Sequence, residues 1–310
     1  MNSTVPPRPA PHGWIVLDKP LGLGSTQAVA AVKRNLREAG YGKKVKVGHG
    51  GTLDPLATGV LPIALGEATK LAGRMLDASK SYLFTVRFGS ETDTLDLEGK
   101  VIATSDVRPD QAEVEGVLAQ FTGPIEQVPP IYSALKVDGE RAYDLARAGQ
   151  EVEMKTRAVT VFELRLDRFD AEEGATLLAH VSKGTYIRSL ARDIARALGT
   201  CGTVTLLRRV KAGPFDLSQA ISLDKLNEIG KGATLEQILL PLEVGLDDIP
   251  AIDLGSEQAR AVRQGRVLTE LPHDDGLYWA REGTIPVALV ELLSGEVRVV
   301  RGFNLSDVAE

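Results

Sequence analysis

The amino-acid sequence predicts a globular protein that mixes α-helices and β-strands in one large domain, followed by a small β-rich domain. Three observations support this fold class. The 310 residues are 43% hydrophobic, which is enough apolar material for a sizeable core. Up to about residue 245, helix-like and strand-like segments follow one another along the chain. After that point, short apolar runs are separated by frequent glycines, a pattern typical of a small β-rich domain.

The first elements are predicted to be a strand, a turn and a helix. Residues 14–17 form a short apolar run, and a Pro-Leu-Gly turn follows. Ser25 or Thr26 can then cap a helix that extends through Arg37. The preceding residues 1–12 contain four prolines, so we expect them to be a disordered tail.

The next elements lead into and out of a glycine-rich loop. A second strand, KVKVGH, enters the loop, and residues 67–76 are predicted to be helical. The run SYLFTVRFG then alternates as a half-buried strand does. One face of this strand carries Tyr82, Phe84, Val86 and Phe88.

The second half of the large domain begins with an excursion from the core. Residues 128–154, which we call the excursion, contain a Pro pair, an Asp-Gly turn and a short helix. Strands are predicted at residues 159–166 and 175–182, and residues 183–200 are predicted to form an amphipathic helix. On that helix an outward basic stripe is expected from Arg188, Arg192 and Arg196.

The charge distribution is more informative than its sum. A net charge of −6 argues against a nucleic-acid partner, because binding to phosphates depends mainly on Lys and Arg. However, residues 30–50 contain six basic residues against Glu38, and residues 181–211 contain seven against Asp193. The two basic segments can form one face for nucleic acid, or they can be ordinary solvated helix faces.

Several protein classes are disfavoured by the sequence. It contains no run of eighteen apolar residues and begins with no signal-peptide pattern, so we expect neither export nor a membrane. The single cysteine, Cys201, excludes an intrachain disulfide and fits a reducing cytoplasm.

The stretch KVGHGGTLDPLATGVLP, residues 46–62, concentrates unusual chemistry. Gly48, Gly50 and Gly51 allow the backbone to approach a ligand closely, and Pro55 biases Asp54 toward an extended conformation. Two interpretations of Asp54 remain open on local grounds. Its carboxylate can serve a turn by accepting hydrogen bonds from neighbouring amides, or it can be held at a cleft for catalysis.

Other chemistries of such a loop find no support in the sequence. A phosphate-binding P-loop needs a Lys followed by Ser or Thr after its last glycine, and this stretch has neither. An esterase needs a G-x-S-x-G elbow, which occurs nowhere in the sequence. A metal site would need more ligands than His49 and Asp54. An ionised aspartate, in contrast, can act as a nucleophile without a base.

Arg188 is a candidate partner for Asp54. It falls in the first turn of its predicted helix, where the helix dipole disfavours a cation unless an anion compensates it. A pair with Asp54 would lower the pKa of that carboxyl and fix its direction. The alternative is an exposed arginine on a basic face.

The stretch GHGGTLDPLATGVLPIALGEATK closely resembles the signature of the TruB family of tRNA pseudouridine synthases. The resemblance continues in the same order through LDKPLGLGS, KSYLFTVRFG, VPPIYSALKVDGERAYDLARAG, SKGTYIRSLARDIARALG and LRRVKAGPF, and covers most of residues 13–215. Departures are mild: GHGG and Thr52 stand where relatives often have GHTG and Ala, and Leu95 occupies a commonly polar position.

Carried over by position, the resemblance implies roles for individual residues. As catalytic residues it implies the nucleophile Asp54, its partner Arg188, and Tyr82, which stacks on the target base. As substrate-binding residues it implies, together with Tyr82, His49 of the same loop, Lys70 near the site, and Tyr186 and Leu207 lining the uridine pocket. An aromatic ring at a strand end is well placed to stack on an extruded base.

The resemblance also implies the fold and the reaction. Residues 13–245 would form an α+β catalytic domain around a mixed, mostly antiparallel sheet with flanking helices, with the excursion contacting RNA. Residues 246–310 resemble a PUA-like RNA-binding domain, although such a module can also cap the fold without touching RNA. The enzyme would convert the uridine at position 55 in the T-loop of tRNA to pseudouridine, with no cofactor and no metal.

Alternatives of other classes remain at this point. The chain can be a tRNA-binding protein or folding chaperone on the same scaffold, or a pseudouridine synthase that acts on another RNA stem-loop. For the enzyme we expect the T-arm stem-loop of tRNA as the substrate, no protein partner, a monomer, and a cytoplasmic location.

Overall fold

The computed structural model describes residues 8–133, 135–137, 139–150, 152–269 and 271–305. No helix in these residues combines the length and the apolar character needed to cross a lipid bilayer.

Seven α-helices occur in the described residues: α1 (Ser25–Glu38), α2 (Ala72–Asp77), α3 (Gln111–Val117), α4 (Ala142–Arg147), α5 (Ile187–Ala197), α6 (Leu223–Gly230) and α7 (Ser256–Arg263). Short 3-10 helices lie at Gly66–Leu71, Leu118–Phe121, Leu217–Gln219, Leu235–Gln237 and Leu242–Leu246.

The first eight β-strands are β1 (Gly13–Lys19), β2 (Val47–His49), β3 (Ala57–Leu65), β4 (Lys80–Phe88), β5 (Ser90–Thr92), β6 (Val101–Thr104), β7 (Gly123–Gln127) and β8 (Lys136–Val137). The remaining strands are β9 (Glu140–Arg141), β10 (Arg157–Asp170), β11 (Gly174–Val181), β12 (Gly202–Ala212), β13 (Phe215–Asp216), β14 (Ala251–Asp253), β15 (Leu268–Thr269), β16 (Gly276–Glu282), β17 (Ile285–Leu293) and β18 (Glu296–Gly302).

A nine-stranded sheet forms the large domain. Its main path runs in the order β1-β3-β12-β4-β11-β10-β7, with β2 paired to β3 and β13 to β12. Every pairing in it is antiparallel except that of β3 with β12. The predicted α+β fold around a mixed, mostly antiparallel sheet is therefore confirmed.

The parallel pairing matters for the site because it brings two distant segments together. Leu207 of β12 lies opposite Ala57, the first residue of β3, and also opposite Phe84 of β4. The glycine-rich loop ends where β3 begins. As a result, the loop, β12 and β4 meet at one place in the sheet.

Helix α5 covers one face of the sheet. The predicted alternation of β4 holds, since Phe84 and Val86 are fully buried in the same core cluster as Leu190 and Ile194 of α5. Complete burial of such a side chain stabilises the fold by about 1.5–3 kcal/mol. This packing anchors α5 and fixes the position of its first turn.

The residues after 250 form a second sheet, with strand order β14-β16-β17-β18-β15. This sheet and α7 enclose a core of their own, which includes Ile252, Val262 and Val290. Leu289 and Phe303 pack instead in a cluster with Trp14 of β1.

Two N-terminal expectations turn out differently. The capping residue of α1 is Gly24, and Ser25 makes its hydrogen bonds to Leu53 of the glycine-rich loop instead. The described part of the predicted tail is attached to the body, because the half-buried His12 accepts a hydrogen bond from the Glu67 amide at 3.0 Å. Residues 1–7 of the tail lie outside the described residues.

Candidate active site

Asp54 lies in the loop between β2 and β3. Its side chain is 45% exposed. Its backbone carbonyl accepts a hydrogen bond from the Ala57 amide, and the carbonyl of Pro55 accepts one from Gly22. The carboxylate therefore projects from a well-anchored loop while remaining accessible.

The glycines of the loop allow close contact with the protein itself. A β-carbon on Gly50 would lie 2.6 Å from Cβ of Met75, and Gly51 adopts a φ of +144° above the Arg209 side chain. Gly48, by comparison, has free space around it. Close packing against Met75 at Gly50 and the positive φ at Gly51 are thus the structural reasons for glycine, where the sequence suggested approach to a ligand.

Arg209 anchors the glycine-rich loop by hydrogen bonds. Its side chain is buried, and Nε donates to the Val60 carbonyl at 2.7 Å. The two terminal nitrogens donate to the carbonyls of Thr52 (3.3 Å) and Gly51 (3.2 Å). A guanidinium can make this set of contacts because it carries five donors in a rigid fork.

Lys19 and Ser25 hold the loop from the other side. Nζ of Lys19 donates to the carbonyls of Leu23 (2.6 Å) and Pro55 (3.3 Å). The Ser25 hydroxyl accepts from the Leu53 amide at 2.8 Å and donates to the Leu53 carbonyl at 2.9 Å. Burial lowers the pKa of Lys19 to about 8, with Asp54 acting in the opposite direction.

The predicted pair between Asp54 and Arg188 is present. Arg188 Nη2 lies 2.8 Å from Asp54 Oδ2, and Nη1 lies 3.2 Å from Asp96 Oδ2. The same guanidinium donates to the carbonyls of Thr94 (2.8 Å) and Tyr132 (3.0 Å). One cation thus links the glycine-rich loop, the segment after β5 and the excursion.

Arg188 does not belong to an outward basic stripe. Only 7% of the residue is exposed, because it occupies the first turn of α5, where the helix meets the loop. The two arginines that follow on the helix also have protein partners: Arg192 pairs with Asp193 and Arg196 with Glu91. The predicted stripe is therefore wrong, since acidic groups and carbonyls take up its charges.

The segment that supplies Asp96 has an unusual backbone. Leu95 has a φ of 65°, a conformation that bulky residues seldom adopt. It is buried, and its carbonyl accepts a hydrogen bond from Val204 of β12. The turn lets both flanking residues, Thr94 and Asp96, reach Arg188.

A cavity of about 270 Å³ opens beside Asp54. Tyr82, Tyr186, Arg188 and Leu207 line it with Asp54, and Ser133 of the excursion contributes to the same wall. Ligand pockets in proteins generally begin at about 300 Å³, so this cavity suits a small, flat ligand such as one nucleobase.

The aromatic and apolar lining residues come from three elements. Tyr82 lies near the start of β4, and Leu207 lies on the neighbouring strand β12. Tyr186 precedes α5, and its backbone amide donates to Gln127 Oε1 at 2.8 Å. Burial raises the pKa of the Tyr186 phenol, so the phenol is neutral at physiological pH.

His49 lies at the end of β2, five residues before Asp54, and is not among the residues described as lining the cavity. Its Nδ1 is 3.4 Å from the Gly51 amide. Burial, aided by the charge of Arg209, lowers its pKa. His49 is therefore neutral near pH 7. It lies where β2 ends and the glycine-rich loop begins.

Models of known families give the decisive comparison. The model of the N-terminal domain of the TruB family pseudouridylate synthases matches residues 37–187. The model of the tRNA pseudouridylate synthase B C-terminal domain matches residues 188–247. The chain belongs to the TruB family. It is accordingly an enzyme, a pseudouridine synthase of the isomerase class.

Curated relatives within the TruB family match nearly the whole chain. The tRNA pseudouridine synthase B of Novosphingobium aromaticivorans is 73% identical over 302 residues, covering 96% of this chain and 99% of that protein. The protein of the same name from Zymomonas mobilis is 59% identical over 304 residues, covering 98% and 100% respectively.

Solved structures support the fold of this TruB family member. An H/ACA RNP bound to a substrate RNA containing 2'-deoxyuridine contains a chain that is 24% identical, with a TM-score of 0.72 over 96% of this chain and 86% of the other. A Cbf5-Nop10-Gar1 complex contains one that is 25% identical, with a TM-score of 0.71 over 94% and 85%.

Lys70, like His49, does not line the cavity beside Asp54. Its Nζ lies 2.6 Å from Glu67 Oε2 and donates to the Gly302 carbonyl at 2.8 Å. Lys70 therefore connects the 3-10 helix after β3 to the end of β18. It lines none of the described cavities that contain Asp54.

The sequence analysis missed four residues that shape the TruB site: Lys19, Asp96, Gln127 and Arg209. The site partners of Asp96, Gln127 and Arg209 are remote in sequence, and the partners of Lys19 and Arg209 are mainly backbone carbonyls. The only available signal was the position of Lys19 and Arg209 inside motifs that already resembled the family. Within the described residues, no group of three potential ligands is placed to hold a metal ion.

Proposed function

We propose that the protein converts the uridine at position 55 in the T-loop of tRNA to pseudouridine, with Asp54 as the catalytic carboxylate. The observation that carries this proposal is the contact of 2.8 Å between Asp54 and the buried Arg188 at the edge of a cavity of nucleobase size. The name shared by the curated relatives, tRNA pseudouridine synthase B, supports tRNA as the substrate.

The reaction begins with extrusion of the target uridine into the cavity. Extrusion costs stacking energy, which new contacts in the pocket offset. Tyr82 stacks on the extruded base, and Leu207 and Tyr186 pack around it. The neutral phenol of Tyr186 suits a pocket that must bind an uncharged ring.

Asp54 then acts on the bound nucleotide. Its carboxylate attacks C6 of the base or C1′ of the ribose, or it removes a ribose proton to give a glycal. In each route the bond between N1 and C1′ breaks, the uracil turns, and a bond between C5 and C1′ forms. C5 loses its proton and N1 gains one, so the reaction needs no oxidant, no hydrolysis and no cofactor.

Arg188 orients the Asp54 carboxylate through the contact of 2.8 Å between Nη2 and Oδ2. It is shared between two carboxylates, so the trio Asp54, Arg188 and Asp96 carries a net negative charge. Asp96 binds Nη1 of the guanidinium, while the half-exposed Asp54 binds Nη2 and faces the substrate. His49 is proposed to hold the flipped conformation of the RNA as a neutral group.

The excursion is proposed to contact the RNA. The Tyr132 carbonyl binds Arg188, and Ser133 lines the cavity, so this segment closes one side of the site. The C-terminal sheet of β14 to β18 is proposed to act as a PUA-like RNA-binding domain.

The proposal is tested by tritium release from a tRNA transcript labelled at C5 of uridine. The wild-type protein should release tritium from the intact transcript. It should release none from a matched transcript with cytidine at position 55 and the label at its other uridines. Equal release from both would place the modification elsewhere, and no release despite tight binding would indicate a tRNA-binding protein.

A further inference from the structure

The cations of the two basic segments of the sequence, residues 30–50 and 181–211, have different surroundings in the structure. In residues 181–211, five of the seven cations form ion pairs, namely Lys183, Arg188, Arg192, Arg196 and Arg208. A sixth, Arg209, is buried and donates to carbonyls. This segment therefore offers little free positive charge to a partner.

The first basic segment, residues 30–50, presents its cations to solvent. All six are exposed: Lys33, Arg34, Arg37, Lys43, Lys44 and Lys46. None of them takes part in an ion pair within the described part of the chain, although Arg34 donates to the side-chain oxygen of Asn227.

These cations surround a groove of about 660 Å³ between α1 and the segment that leads into β2. We call it the α1 groove. Lys33, Arg34 and Arg37 line its helix wall, and Lys43 lines the opposite wall, while Val45 and Val47 contribute apolar lining.

Helix stability does not account for this arrangement. Lys33 and Arg37 are four residues apart on α1, so like charges stand side by side, which destabilises a helix. The helix dipole favours Arg37 in the last turn, but it gives no reason for Lys43 and Lys44 beyond the helix. Repelling charges collected on both walls of a groove indicate an anionic partner.

The groove lies beside the catalytic loop. The first residue of α1, Ser25, is hydrogen-bonded to Leu53, next to Asp54. With a rise of about 1.5 Å per residue, Lys33 and Arg37 lie about 12 and 18 Å along the helix from that contact. On the other wall, Val47 and His49 point to the same side of β2 because side chains alternate along a strand.

We propose that the α1 groove binds the sugar-phosphate backbone of the RNA stem adjoining the flipped nucleotide. This inference rests on the proposed function, since it assumes that RNA is the substrate. The groove supplies charge without aromatic platforms among its lining residues, which suits phosphates rather than bases. It binds without reading sequence, and it holds the stem while Asp54 acts on the extruded base.

The test compares two double variants. Lys33→Gln with Lys43→Gln removes one charge from each wall, and Arg165→Gln with Arg168→Gln removes two exposed charges from β10, near the opposite edge of the sheet. The affinity for an in vitro transcribed tRNA is measured from 0.05 to about 0.5 M KCl. Thermal melts check that both variants fold.

The groove variant should lower the slope of log Kd against log salt by about 1.4–1.8, since each phosphate contact contributes about 0.7–0.9. Extrapolated from 1 M to 0.1 M salt, that change corresponds to about 25- to 60-fold weaker binding. The control should change Kd less than threefold. In the control, the single-turnover rate at saturating tRNA should also stay at the wild-type value.

Each other outcome overturns the proposal. An unchanged slope in the groove variant would show that no phosphate lies there. An equal loss of tRNA affinity in the control would show that the effect depends only on the net charge of the protein. Loss of binding to phosphatidylglycerol vesicles with unchanged tRNA binding would assign the groove to a membrane surface. Failure of the proposed function can be told apart from failure of the groove proposal. The first would appear as absent tritium release by the wild-type protein, whereas the salt dependence of tRNA affinity reports on the groove alone.

Discussion

Replacement of Arg188 by lysine is the sharpest test of the arrangement around Asp54. The guanidinium makes four contacts, two to carboxylates and two to carbonyls, and does so with two nitrogens that point in different directions. A lysine ammonium has three donors on one atom and cannot span the same partners. Arg188→Lys therefore loses at least one charged hydrogen bond.

The magnitude follows from those contacts. A hydrogen bond to a charged group contributes about 1.5–3 kcal/mol, and loss of one or two therefore costs about 1.5–6 kcal/mol. If the cost falls on the orientation of Asp54 in the transition state, turnover drops by about 13- to 26,000-fold, since each 1.36 kcal/mol is tenfold. If it falls on stability, the melting temperature decreases instead.

Single-turnover tritium release and thermal melts separate these two effects. Arg192→Lys is the matched control, because Arg192 lies one turn further along α5 and contacts Asp193 and the Val128 carbonyl rather than Asp54. We expect the control to react within about threefold of wild type by the same rate relation. Near-normal turnover of a folded Arg188→Lys protein would refute the assigned role of the pair.

Four further predictions follow from individual contacts. Asp96→Asn should lower turnover at saturating tRNA by at least about tenfold with Kd unchanged, because Arg188 loses one of its two anions; equal rates would make Asp96 merely structural. Tyr82→Phe should retain most activity whereas Tyr82→Leu should not, and a kinetic comparison in which both were equally active would exclude stacking. Burial lowers the pKa of Lys80 to about 8, so the unfolded chain binds more protons from pH 8 to about 10.5. Wild type should therefore gain stability with rising pH relative to Lys80→Met in that window, and urea melts at pH 7.5 and 9.5 showing no such gain would contradict the burial effect. Lys70→Gln should weaken the connection to Gly302, seen as a lower melting temperature, yet leave turnover at saturating tRNA within about twofold; a large loss of turnover would return Lys70 to the site.

The sequence predicted the parts of the site that are encoded locally. Asp54 stood out because glycines and a proline surround it, and the cation at the start of α5 suggested an anion nearby. Local patterns left both roles open, and the resemblance to the TruB family favoured the pair, whose two side chains lie 2.8 Å apart. The alternation of β4, in contrast, predicted from neighbouring residues alone that the strand face carrying Tyr82 and Phe84 packs against the core.

The remaining parts depend on contacts between distant segments. The parallel pairing of β12 with β3 places Leu207 beside Ala57, and no local pattern encodes that register. Arg209 looked like one more cation of a basic segment, yet it is buried beneath the loop. Ser25 suited a helix cap, but Leu53 competes successfully for its hydroxyl. Charge counted along the sequence could not show which cations the fold neutralises.

The central claim is that Asp54 carries out the chemistry, and Asp54→Asn tests it most directly. The variant keeps the size of the side chain and removes the negative charge from the contact with Arg188. Single-turnover tritium release and tRNA affinity should be measured on protein shown by mass spectrometry to be free of deamidation. We predict no detectable release with Kd within a few-fold of wild type. Release at a substantial fraction of the wild-type rate would contradict the assignment of Asp54.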